Sequence, residues 1–119
     1  MKRKRKSKPF VQIFNEVLES EAYKQLNHAS FRAYVHIRAK YNGGNGGNLS
    51  FTYKEASKIM HIDTYAKAIN QLVEVGFLDV VRSGHLYRVC NLFALSNRWQ
   101  AFGTDSFIKG KRIVTDVIR

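Results

Sequence analysis

The stretch TYAKAINQLVEVGFLDVV, Thr64 to Val81, changes period at a glycine, and this change constrains the fold more than any other feature of the chain. Ile62, Tyr65, Ile69, Leu72 and Val73 recur at helical spacing and gather on one side. From Phe77 onward the run FLDVV is β-rich, and Gly76 between the two can take the left-handed conformation that ends a helix. The spacing predicts a helix over 64–75, with Asp63 as its cap and Gly76 as its stop, then a strand. A second β-rich run, HLYRVCNLF, follows across RSG, where Ser83 and Gly84 suit the tip of a tight hairpin.

Capping signals organise the residues upstream. Thr52 and Glu55 form a capping-box pair, which predicts a helix from Tyr53 to about Met60, separated from the next by HID. LSF, Leu49 to Phe51, reads as a short strand. Ser20 opens a short helix, and Asn27 caps another over HASFRAYVHIRAKY. In the latter, Ala29, Ala33, Ile37 and Tyr41 form an apolar row widened by Tyr34 and Val35, broad enough to belong in a core. PFVQIFNEVLES reads as extended chain or a short helix. FALSNRWQ either extends the sheet or closes the domain with Trp99, and DSFIKGKRIVTDVIR is a loose tail or a small packing element. The expected class is α+β, mainly helical. Two helices across a short turn followed by a hairpin give the layout of a winged helix-turn-helix with a C-terminal β-hairpin wing.

Enzyme chemistry finds little footing in these residues. The loop YNGGNGGN, Tyr41 to Asn48, holds four of the eight glycines but lacks the Lys and Ser/Thr of a phosphate-cradling loop. It also runs from helix to strand, the reverse of that motif, so it reads as a joint in which Asn and Gly tolerate left-handed backbone. His28, His36, His61 and His85 show no metal spacing, and the lone Cys90 sits in a predicted strand as a small hydrophobe. No nucleophile elbow or paired-carboxylate motif occurs. A non-enzyme without cofactor is expected. No apolar run approaches the roughly 18 residues of a membrane span, and no secretory signal follows the basic start. With a single cysteine, a reducing cytoplasm is the expected setting, prokaryotic or viral, near the nucleoid.

Charge is concentrated at the ends. Of the net +11, residues 1–8 carry six charges, on Lys2, Arg3, Lys4, Arg5, Lys6 and Lys8, and residues 109–119 add three, which leaves +2 for the body. The expected organisation is a basic arm over 1–9, a domain over 10–102 and a basic tail or packing element over 103–119. Basic tails on a near-neutral body read as polyanion-seeking arms, or as a solubility device. On the predicted second helix of the motif, Thr64, Lys67, Asn70, Gln71 and Glu74 lie opposite the apolar side. One cation and two amides suit a major-groove reader, though such polar mixtures also occur on plain surface helices. At the hairpin, Arg82, Ser83, His85 and Arg88 suit phosphate or minor-groove contact, or a merely solvated turn.

The segments FVQIFNEVLESEAYKQL, YNGGNGGNLSFTYKEASKIM, KAINQLVEVGFLDVV and NRWQ resemble the winged helix-turn-helix proteins of phages, plasmids and related mobile elements. The resemblance spans about residues 10–100, and its most specific parts are the Asn/Gly loop and the QLVEVGFL joint. It implies DNA contact from Thr64, Lys67 and Gln71 and wing contact from Arg82 and Arg88. The turn MHIDT is about two residues shorter than the family's, and the family's basic cluster on the recognition helix is reduced here to Lys67. The resulting expectation is a double-stranded DNA-binding protein, a transcription regulator or an origin-binding replication factor. The alternatives are a single-strand DNA or RNA binder, with Tyr53, Tyr65, Tyr87 and Trp99 as stacking surfaces, and a protein-interaction adaptor. No membrane or small-molecule partner is expected. A homodimer through Ile108, Ile113, Val114, Val117 and Ile118 is one option for the C-terminal apolar residues, and covering the domain's own core is the other.

Overall fold

Side chains that accept from unpaired backbone N–H groups set where most of the helices begin. The computed structural model describes residues 8–82 and 92–109. Extended chain from residue 8 leads into α1 (Asn15–Glu19). The Ser20 hydroxyl then accepts from Tyr23 N at 3.1 Å and opens α2 (Glu21–Gln25). Asn27 Oδ1 accepts from Ser30 N at 2.8 Å at the head of α3 (His28–Arg38). At α4 (Tyr53–Ala56) both halves of the capping box form: Glu55 N donates to Thr52 Oγ1 at 3.0 Å, and Thr52 N donates to Glu55 Oε1 at 2.9 Å.

Two helix boundaries differ from the sequence expectation. α4 is a single turn and does not reach Met60, because Lys58 N and Ile59 N bond three residues back to Glu55 O and Ala56 O. α5 (Ile62–Val75) starts before Thr64, capped by His61, whose Nδ1 accepts from Asp63 N at 3.1 Å. Asp63, expected to be the cap, lies in the first turn instead, where its charge faces the positive end of the helix dipole.

Gly76 ends α5 as expected. Its φ of +101° lets Phe77 N reach back to Leu72 O at 2.9 Å. A Cβ here would stand 2.5 Å from Trp99 N, so the position excludes side chains by space as well as by backbone angle. The chain passes directly into β2 (Leu78–Arg82), which pairs antiparallel with β3 (Leu92–Leu95). β3 also pairs antiparallel with the short β1 (Leu49–Ser50), giving the order β1-β3-β2. Phe93 stands opposite both Leu49 and Val80, and the ladder is irregular between Val80 and Arg82. The expected hairpin tip at Ser83 and Gly84 and the start of the second β-rich run, through residue 91, lie outside the described residues.

The core fills the space between α3, α5 and the sheet. Ile37, Tyr65, Ile69, Leu72, Phe77, Leu78 and Phe93 are all buried. Each contributes about 1.5–3 kcal/mol by leaving water. The Tyr65 hydroxyl is satisfied inside the core by Phe51 O at 2.6 Å. A 3-10 turn (Arg98–Ala101) brings Trp99 flat onto Phe77, with ring centroids 5.6 Å apart, so Trp99 closes the domain while Phe93–Leu95 extend the strand.

Next to Trp99, Arg98 holds three segments together. Its guanidinium donates to Val73 O at 3.0 Å, Leu78 O at 2.9 Å and Ile108 O at 2.8 Å, and it pairs with Asp79. Residues 103–109 are therefore attached to the body, with the Phe107 ring edge-on against Phe102. The described residues thus form an α+β fold of five α-helices and a three-stranded antiparallel sheet.

The glycine loop is a laced joint. Asn45 Oδ1 accepts from Asn42 N, Asn45 Nδ2 donates to Lys40 O, and Asn42 Oδ1 accepts from Gly44 N, each at 2.9 Å. Gly46 O accepts from Leu95 N at 2.8 Å, which fastens the loop to the end of β3. Within the loop it is Gly43 that needs the left-handed region, at φ +96°.

Candidate nucleic-acid interface

α5 is enclosed on most sides, so few of its side chains reach solvent. α3 and α4 pack on it, and β2 leaves from its end. Tyr65, Ile69, Leu72 and Val73 are buried as the phase predicts, while Ile62 is half-buried at the first turn.

The expected polar row is only partly at the surface. Thr64 and Lys67 are exposed, one turn apart, and Glu74 is half-buried. Asn70 is 4% exposed, so it belongs to the interior and not to a free face. Gln71 is half-buried and its amide is committed within the protein. Oε1 accepts from Ser30 Oγ at 2.5 Å and Asn27 N at 3.1 Å, and Nε2 donates to Gln25 O at 2.8 Å. The placement of Asn70 and Gln71 on the reading face is corrected accordingly. A helix wheel assigns amides to water, whereas here the tightly packed neighbours supply the partners that make burial affordable.

Sequence phase did not select the exposed polar residues of the neighbouring α4. Lys54, Ser57 and Lys58 on α4 and the following turn are exposed, as is the capping residue His61. Arg32 reaches over from α3 and donates to Ile59 O at 3.0 Å, beside the same turn. The i, i+4 spacing of Lys54 and Lys58 was the available signal for this basic edge. The acidic groups nearby are partly engaged: Asp63 lies 3.7 Å from the His61 imidazole, and Glu55 pairs with Lys40. That hydrogen bond from Lys40, helped by the Thr52 N–H, holds the Glu55 carboxyl below its ordinary range.

Of the other expected contacts, Arg82 ends β2, and Ser83, His85 and Arg88 lie outside the described residues. So do Lys2, Arg3, Lys4, Arg5 and Lys6, whereas Lys8 is described and exposed. Cys90, His85 and Tyr87 are likewise outside. His36 stacks on the Phe51 ring, with centroids 5.8 Å apart. Among the described residues no group of three His, Cys, Asp or Glu side chains stands close enough to hold a metal ion. The stacking role suggested for Tyr65 and Trp99 fails because both are core residues, and Tyr53 packs edge-on against Tyr65.

On another side of the molecule, Glu16, Glu19 and Glu21 line an open cavity of about 440 Å³ with Trp99 and Phe102. Glu21 there pairs with Lys24 at 3.0 Å, and Glu16 and Glu19 add negative charge to that cavity.

The described residues define a small α+β protein in which Lys54, Lys58, Thr64 and Lys67 are exposed on α4, the turn after it and α5. Among the described residues no helix is long and apolar enough to cross a membrane. A scan against protein-family models finds no match, and searches of curated proteins and of solved structures find none either.

Proposed function

We propose that the protein is a non-enzymatic duplex DNA-binding protein of the winged helix-turn-helix type. On this reading it is a transcription regulator or an origin-binding replication factor of a mobile element. The observation that carries the proposal is the order α3–β1–α4–α5–β2–β3 with sheet order β1-β3-β2, in which α4 packs on α5 and Thr64, Lys67, Lys54 and Lys58 are exposed. In a winged helix the second helix of the pair enters the major groove and the hairpin contacts the backbone. Lys67 then reaches a phosphate or a guanine edge, Thr64 a base edge or phosphate, and Lys54 and Lys58 the flanking phosphates. The resemblance to mobile-element proteins favours that setting.

With the body nearly neutral, the arm supplies much of the salt-sensitive affinity. Selection of bound duplexes from a random pool tests the proposal. An enriched site that the Lys67→Ala variant binds more weakly is the expected result. Absence of duplex binding by the full chain at about 0.1 M salt overturns it.

A further inference from the structure

Arg38 is a cation held among three aromatic rings. It lies on the row of α3 shared with Tyr34 and continued by Tyr41. Arg32, His36 and Lys40, on another row, turn towards Ile59, Phe51 and Glu55 near α4. The guanidinium carbon stands 5.9 Å from the Phe14 ring centroid, 5.9 Å from Tyr34 and 5.8 Å from Tyr41. Among the described residues it has no carboxylate partner, and its hydrogen bonding amounts to one long contact with Tyr34 Oη at 3.5 Å. Its buried Nε has no partner. Burial pushes the Tyr34 phenol up, so at neutral pH that oxygen supplies no negative charge.

The flanking aromatic residues reach solvent: Phe14 is 49% exposed, Tyr41 39%, and Phe10, just before Phe14 in sequence, 78%. Flat apolar rings around an anion-seeking fork match one nucleotide unit, with base on ring and phosphate on guanidinium. The rings favour nucleic acid over an acidic peptide as the occupant, because only its bases can stack on Phe14 and Tyr41 beside the guanidinium. The six cations of residues 2–8, which precede Phe10 in sequence, suit a polyanion.

We infer that Phe14, Arg38 and Tyr41 form a second nucleic-acid site that binds unpaired nucleotides, stacking bases on the two rings and holding a phosphate on Arg38. The inference rests on the nucleic-acid-binding reading above and adds a surface on a different row of α3 from the one facing α4. Two such surfaces suit a junction where duplex gives way to single strand.

The test uses the full chain with two probes, an oligothymidylate of about 12 nucleotides and a blunt duplex of matched length. The Phe14→Ala/Tyr41→Ala variant, which leaves the buried core intact, should keep its circular dichroism and its duplex affinity. It should lose about ten-fold or more in oligothymidylate affinity. Lys67→Ala should do the reverse. In a Phe14→Trp variant, oligothymidylate should quench fluorescence saturably, while Trp99, only 7% exposed, leaves the parent protein unresponsive.

Duplex binding without oligothymidylate binding overturns the inference and leaves the proposed function standing, as does a double variant that binds oligothymidylate like the parent. Arg38-dependent binding of polyglutamate, with no oligothymidylate binding, overturns it in favour of an acidic protein partner. Failure to bind either nucleic acid overturns both readings.

Discussion

Gln71 on α5 accepts from Ser30 Oγ on α3 at 2.5 Å, and its amide also engages Asn27 N and Gln25 O, so one side chain ties α5 to the α2–α3 junction. Ser30 is fully buried. Removing its acceptor leaves a buried hydroxyl without that partner, and Gln71→Ala should destabilise the protein by about 1–3 kcal/mol. The measurement is a lowered urea midpoint at unchanged m-value. A variant as stable as the parent but unable to discriminate among duplexes would return Gln71 to the groove-reading row.

Glycine substitutions should divide by position. Gly76→Ala places a Cβ 2.5 Å from Trp99 N at φ +101°, and neither strain is relieved by a side-chain rotation. Its loss of stability should exceed in size the gain of about 0.4–1 kcal/mol from an unstrained Gly→Ala change. Gly47→Ala meets open space and should be near neutral. Thermal unfolding of the pair measures the contrast, and equal midpoints would contradict it.

Helix caps were the most legible part of the chain. Ser20, Asn27, Thr52 and Gly76 act within a few residues of themselves, so their partners are visible in sequence. The burial of Asn70 and the engagement of Gln71 were not legible, because periodicity sorts residues by polarity and cannot see packing or, for Gln71, partners 41 to 46 residues away. Arg98 was hidden for the same reason: NRWQ advertises Trp99, whereas the arginine's work depends on carbonyls of Val73, Leu78 and Ile108. The candidate edge was half legible. Thr64 and Lys67 follow from helical phase and Lys54 and Lys58 from their i, i+4 spacing, while Arg32 reaches Ile59 O, 27 residues away, only once α3 packs beside the α4 turn.

Acid should weaken the α4 cap. Lys40, and then Thr52, hold the Glu55 carboxyl below its ordinary value. A carboxyl with a depressed folded pKa adds stability that is full above the unfolded value and is lost as pH falls through the folded one. Urea midpoints should therefore drop as pH falls through and below the ordinary carboxylate range, and the drop should be smaller in Glu55→Gln. Because Glu55 is well solvated, the difference should be modest. Identical acid profiles would assign the loss to other carboxylates.

Salt dependence should separate the arm from the helix edge. Deleting residues 1–8 removes six positive charges. If all of them meet phosphates, the slope of log affinity against log salt becomes shallower by about five units. Lys67→Ala should change that slope by about one. An unchanged slope after the deletion would show that the arm stays off the backbone.

The sheet order has a consequence for synthesis. β3 is the middle strand, yet it is the last of the three to leave the ribosome. While residues 51–91 emerge, α3 and α5 can already bury their shared face, but β1 and β2 have no neighbour to pair with. Both then present open backbone and the apolar side chains of Leu49, Leu78 and Val80 to the surroundings. The arrival of Leu92–Leu95 joins both strands at once, so the interval just before it is when the nascent chain is most open to chaperones and to aggregation.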